Sequence, residues 1–227
     1  MAWTGRDLAI TLLAGGGLGL FLTVLFLLPL QNAGTQLRPA AVLLITSLLV
    51  YGPLCLLGWY FALKRNGASP ADAGLRWVGW GPVLLMIPGA IGLIIVTGLL
   101  SALISQLLGD VPTAQEQVIP GQSTLPTWDL VALVVAGAVA APFAEEFLFR
   151  GLLYRYLRSR RSVQTAVLIS SLIFAIAHFT PILIPVLFVF GIAEALVAER
   201  YESLYPAMAL HALNNGALFV ALYLTLN

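Results

Sequence analysis

Pro142-Phe143-Ala144-Glu145-Glu146-Phe147-Leu148-Phe149-Arg150 is the stretch that decides how this chain is read. It sets two adjacent carboxylates and a guanidinium at the end of the apolar run Leu130 to Phe143. Of the 227 residues, 60% are hydrophobic and only 9% are charged, whereas soluble domains carry about 25% charged residues. A soluble core this apolar would leave too little polar surface to stay monomeric. The run therefore belongs in a bilayer, where ionisable groups are costly and mark functional sites by default.

Working outward from this stretch, apolar segments of about 20 residues give about seven spans. They lie near 8–30, 40–63, 82–108, 128–156, 163–180, 182–199 and 206–225. The fold class expected is all-α, a polytopic membrane helical bundle of about seven transmembrane helices. It forms one transmembrane domain over 1–227, with the chemistry carried by 128–220. Only Thr180-Pro181 separates the fifth and sixth spans, so Pro181 and Pro185 mark either a turn or a break within the bilayer. The first span exceeds the 7–15 residue core of a signal peptide and reads as retained. Its Gly15, Gly16, Gly17 and Gly19 offer a thin face for close helix contact. Between spans, Ser69-Pro70 is suited to cap a short surface helix, and Trp77 and Trp80 suit a membrane interface. The loop 109–127 holds Pro112, Pro120, Gly121 and Pro126 and no basic residue.

Orientation follows from the basic residues. With the N-terminus inside, Arg6, Lys64, Arg65, Arg76, Arg155, Arg158, Arg160, Arg161 and Arg200 all fall on inner loops. Arg38 alone falls outside, and Arg150 lies within a span. The expectation is a multi-pass protein of the cell membrane with a cytoplasmic N-terminus, and a prokaryotic plasma membrane suits so compact a chain. A net charge of +1 offers no basic field for nucleic acid. The lone Cys55 cannot form an intramolecular disulfide and reads as packing.

The ionisable groups inside the spans form a pattern. Glu146 and Arg150 are i and i+4, so they share a helix face and can pair. Glu145 is rotated about 100° from Glu146 and points elsewhere. Pro142 is placed to kink the helix beside it. The two histidines, His178 and His211, both fall in apolar spans, each with an i, i+4 companion: Phe174 with His178, and His211 with Asn215. The basic turn near 159–162 lies about 16 residues after Glu145 and about 17 before His178, so both sit about 25 Å from it. Packed antiparallel, the two helices bring these side chains together. His211 is nearer its own inner loop, so the last span must be offset or tilted to join. Glu194, another acid within a span, either faces a cavity or pairs with Arg150.

A glutamate and a histidine can take a proton from water, and a histidine and an asparagine can donate to a developing oxyanion. That set describes amide hydrolysis. Glu145, His178 and His211 are alternatively a zinc ligand set, although neither HExxH nor GxSxG occurs. A non-enzymatic reading also uses these residues, either as a proton-coupled transporter or as a peptide-binding immunity scaffold.

Glu145-Glu146-x-x-x-Arg150, Phe174-x-x-x-His178 and His211-x-x-x-Asn215 resemble the three signature motifs of the CPBP family. These are intramembrane proteases related to the type II CAAX prenyl endopeptidase, also called the Abi family. The resemblance covers roughly residues 128–220. It implies that Glu145 activates water with His178, that Glu146 pairs with Arg150 to hold the site, that His211 and Asn215 stabilise the oxyanion, and that Phe174 packs beside them. It also implies an all-α bundle with a polar cavity open to the cytosol. The substrates implied are membrane-associated peptides or proteins, prenylated ones among them. The family carries a metalloprotease name, yet a metal-free glutamate mechanism is also argued for it. The reading taken here is the glutamate mechanism with no required cofactor, zinc being the alternative.

Overall fold

The computed structural model describes residues 2–32, 37–109 and 124–227. Among these the regular structure is helical, with no strand. Six helices are long and apolar enough to cross a membrane: α1 (Gly5–Leu30), α2 (Pro39–Asn66), α3 (Trp80–Leu108), α4 (Thr127–Arg158), α6 (Pro181–Tyr201) and α7 (Leu204–Leu226). The seventh, α5 (Val163–Ile176), is shorter. The chain is a multi-pass helical membrane bundle.

Local chemistry sets the helix ends. Thr4 and Asp7 form a capping box at the start of α1, Ser162 caps α5 and Ser203 caps α7. Each supplies a side-chain oxygen to one of the backbone N–H groups left unpaired at a helix start. Ser69 caps the single 3₁₀ turn Pro70–Ala73, with Asp72 returning the bond, as the Ser-Pro pair predicts. Trp77 and Trp80 are exposed and meet edge to face at 4.9 Å. Gly15 and Gly19 do bring α1 against α2, where a Cβ would lie 3.0 Å from the Leu54 Cα and 2.8 Å from the Val50 Cα. Gly16 and Gly17 face open space instead. Pro112, Pro120 and Gly121 lie outside the described residues.

The two ends of the bundle are knit by different chemistry. At one end Arg76 pairs with Glu202 at 2.9 Å, Arg158 with Glu199 at 3.0 Å and Arg65 with Asp7 at 3.9 Å. Arg155 donates to the Glu202 carbonyl, and Trp3 donates from its indole to the Leu152 carbonyl. This gathers the α2–α3 connection, the α4–α5 turn, the α6–α7 turn and the N-terminus into a single basic end. At the other end Arg38 meets Asp129 at 3.4 Å, and Asn227 donates to the Leu125 carbonyl.

The fifth span is the one that departs from expectation. α5 has 14 residues and ends at Ile176. That is about 21 Å of helix, short of a hydrocarbon core of about 30 Å. His178 therefore lies in a turn rather than on a helix, and Phe179, with φ 54°, is in the left-handed region. A non-glycine residue there carries strain. Pro181 follows and opens the turn that leads into α6. The α5–α6 hairpin rises from the basic end and returns to it.

Candidate active site

The site is assembled from α2, α4, the α5–α6 turn and α7. On α4, π-helical turns at Val134–Ala140 and Glu146–Tyr154 bracket Pro142 and Glu145. Such turns are frequent at functional sites. The helix runs through Pro142 without a break, because the missing N–H falls where the ladder is already shifted.

Glu146 and Arg150 form the expected pair, Nη1 to Oε1 at 2.9 Å, and both are at most 1% exposed. Arg150 also donates to the Gly191 carbonyl at 3.1 Å and lies 4.4 Å above the Phe174 ring. These contacts hold one guanidinium against α4, α5 and α6 together. Among the described residues the second Glu146 oxygen has no donor, but its first also meets His211 Nδ1 at 3.0 Å. Glu194 is fully buried and interacts electrostatically with Glu146 and Arg150, yet neither of its oxygens meets a hydrogen-bond donor among the described residues. It neither bonds to Arg150 nor lines the cavity.

Glu145 turns the other way. Its Oε2 lies 3.8 Å from His178 Nε2 and 3.7 Å from His211 Nε2. Glu145 and His178 are thus level, and α7 does bring His211 to them. Both separations exceed direct hydrogen-bond length and suit one bridging water. Each ring is oriented from its far side. His178 Nδ1 lies 2.8 Å from the Phe174 carbonyl, which can only accept, so that nitrogen carries the hydrogen and Nε2 presents its lone pair. His211 Nδ1 donates to the Glu146 carboxylate by the same logic. Phe174 is buried and meets the His178 ring edge to face at 4.6 Å, so it packs beside the site as expected.

Asn215 donates to the Gly137 carbonyl at 2.9 Å, which leaves one N–H of its amide for another acceptor. Asn214 donates to the Asn215 Oδ1 at 3.3 Å and is itself buried. The sequence reading passed over Asn214, although paired asparagines in an apolar span were a visible signal. It also passed over Tyr51. The Tyr51 hydroxyl donates to Glu145 Oε1, the oxygen that faces away from the histidines. Nothing in local spacing links two residues 94 positions apart. Beside these groups is a cavity of about 550 Å³, with mixed apolar and hydroxyl lining that includes Ser47, Thr97, Ser101 and Ser105.

Zinc bonds of about 2.0–2.2 Å to histidine and carboxylate in a tetrahedral set put neighbouring ligand atoms roughly 3.3–3.5 Å apart. The two edges at Glu145 are 3.7 and 3.8 Å, a few tenths of an ångström wider. Among the described residues no group of three or more His, Cys, Asp or Glu is placed to hold a metal ion.

Residues 127–217 match the family model described as Type II CAAX prenyl endopeptidase Rce1-like. This stretch is similar to the Rce1-like family. The match runs from the start of α4 into α7 and contains every motif residue, supporting the CPBP resemblance; it leaves out α1, α2 and α3, and with them Tyr51. No curated protein and no solved structure matches the chain.

Proposed function

We propose that this protein is an intramembrane endopeptidase in which Glu145 and His178 activate water against a peptide carbonyl. The observation that carries this is the approach of His178 Nε2 and His211 Nε2 to the single oxygen Glu145 Oε2, beside a cavity. The water is held by Glu145 Oε2 and the His178 lone pair, both acceptors, so its own lone pair is left for the carbonyl carbon. As its oxygen bonds to carbon, Glu145 takes the proton. The carbonyl oxygen becomes an oxyanion and accepts from the spare Asn215 N–H and from His211 Nε2. His211 donates from Nε2 as the imidazolium, since its Nδ1 hydrogen is directed to Glu146. Collapse breaks the C–N bond, and the departing amine takes the proton back from Glu145.

The substrates we assign are membrane-associated peptides or proteins, prenylated ones among them, in a cell membrane with the N-terminus of this chain in the cytoplasm. The test uses purified protein in lipid with a panel of prenylated and unprenylated membrane-embedded peptides, read by mass spectrometry. Cleavage is expected, with loss in Glu145→Ala and no loss on exhaustive chelation. Cleavage that persists unchanged in Glu145→Ala would end the mechanism. Loss on chelation, restored by zinc, would replace it with a metal mechanism.

A further inference from the structure

One turn of α7 carries three polar side chains. His211 is followed by Asn214 at i+3 and Asn215 at i+4, so the three share a face. Peptide hydrolysis at Glu145 employs His211 and Asn215 and leaves Asn214 without a part. Yet Asn214 is the more buried asparagine, 6% exposed, and it lines the cavity together with Glu145, His211 and Asn215.

The hydrogen bonds settle which end of each amide is which. The Gly137 carbonyl can only accept, so the Asn215 atom facing it at 2.9 Å is the nitrogen. The other end of the Asn215 amide is then Oδ1, and the Asn214 atom 3.3 Å from it must be the donor, Nδ2. The bonds run one way, from Asn214 to Asn215 to Gly137. Gly137 lies in the π-helical turn Val134–Ala140, and a Cβ there would lie 2.7 Å from the Phe219 ring of α7. A single hydrogen bond would leave the Asn215 amide free to swing about it. Two bonds at opposite ends fix its plane, and with it the direction of the one N–H that remains. The bond accepted at Oδ1 also polarises the amide and makes that N–H a stronger donor.

Asn214 gains little for itself. Its own Oδ1 is buried and meets no donor among the described residues, an arrangement that costs stability. Packing alone would be served as well by leucine, which has the same branched shape and no polar atom.

We infer that Asn214 is a positioning residue of the oxyanion site, which aims and strengthens the Asn215 N–H without touching the substrate. The inference rests on the peptidase reading. An oxyanion donor is worth about 10²–10³ in kcat. Without its orienting partner the donor is present but loosely aimed, so Asn214→Leu lowers kcat about tenfold. KM changes little, because the bond at stake reaches full strength only in the transition state. Thermal stability holds or rises, because an unpaired buried carbonyl leaves with the side chain.

The experiment is a double-mutant cycle on purified protein in lipid. Asn214→Leu, Asn215→Ala and the pair are compared for kcat and KM on a peptide that the unaltered protein cuts, and for thermal unfolding. Asn214→Ala repeats the cycle with a smaller side chain should leucine not be accommodated. The expected result is about a tenfold loss of kcat from Asn214→Leu alone and no further loss when Asn215 is already alanine. An equal loss in both backgrounds, with unfolding at a lower temperature, would make Asn214 a structural residue and overturn the inference. Full kcat in both Asn214 variants, while Glu145→Ala still abolishes cleavage, would overturn it alone and leave the peptidase reading standing. Absence of any Glu145-dependent cleavage would end the peptidase reading and the positioning role with it.

Discussion

Replacing Arg150 by methionine is the perturbation whose cost the structure fixes most directly. The guanidinium neutralises Glu146 at 2.9 Å, satisfies the Gly191 carbonyl at 3.1 Å and stacks on Phe174. Methionine keeps much of the packing volume and none of the charge. It leaves Glu146 at 0% exposure beside Glu194, without its guanidinium and with only the His211 Nδ1–H still in contact. Breaking a buried pair from one side costs about 3–5 kcal/mol. For a chain of this size that is a fall in Tm on the order of 10 °C. The assay is thermal unfolding of detergent-purified protein. Combining Arg150→Met with Glu146→Gln removes the stranded charge, and well over half of the loss is expected to return. Activity is expected to stay low in the double variant, because His211 Nδ1 would then face a neutral amide instead of a carboxylate. A single variant that loses less than about 1 kcal/mol, or a double variant no more stable than the single, would refute the bracing role.

Tyr51→Phe removes the hydroxyl on Glu145 Oε1 and is expected to lower kcat about tenfold or more, with KM and thermal stability little changed. An unchanged kcat would mean Glu145 is held without it. On the exposed loop, Asp72 accepts from the Ser69 hydroxyl and backbone N–H, which holds its carboxyl below the usual carboxylate range. A depressed pKa gives a contribution present above the ordinary value and lost as pH falls through the folded one. Amide exchange in Pro70–Gly74, corrected for intrinsic rate, should therefore quicken below about pH 4. Asp72→Asn should abolish that dependence; a pH response that survives it would assign the effect elsewhere.

How far the site was legible in the sequence depended on the distance over which each contact acts. Glu146–Arg150 is an i, i+4 contact, and helix geometry alone predicts it. The meeting of Glu145 with His178 followed from counting equal rises on either side of the basic turn, which works because two helices joined by a tight turn must run antiparallel. His211 was different. Its arrival depends on how α7 packs across α4, and no count along the chain supplies that offset. The same holds for Tyr51, whose phenol reaches Glu145 from a helix with no motif.

By itself, then, the sequence determined the solvent of this chain, the helices, the pairing on α4 and the basic end, because composition, period and short-range spacing are properties of a single strand of residues. Tertiary structure alone decided that α5 stops about 9 Å short of a full crossing, that His178 sits in a strained turn, and that Tyr51 and Asn214 join the site. The physical reason is common to all three. Each is a property of the folded chain that no single period or spacing carries, and Glu145 acquires a direction only when the other helices close around α4.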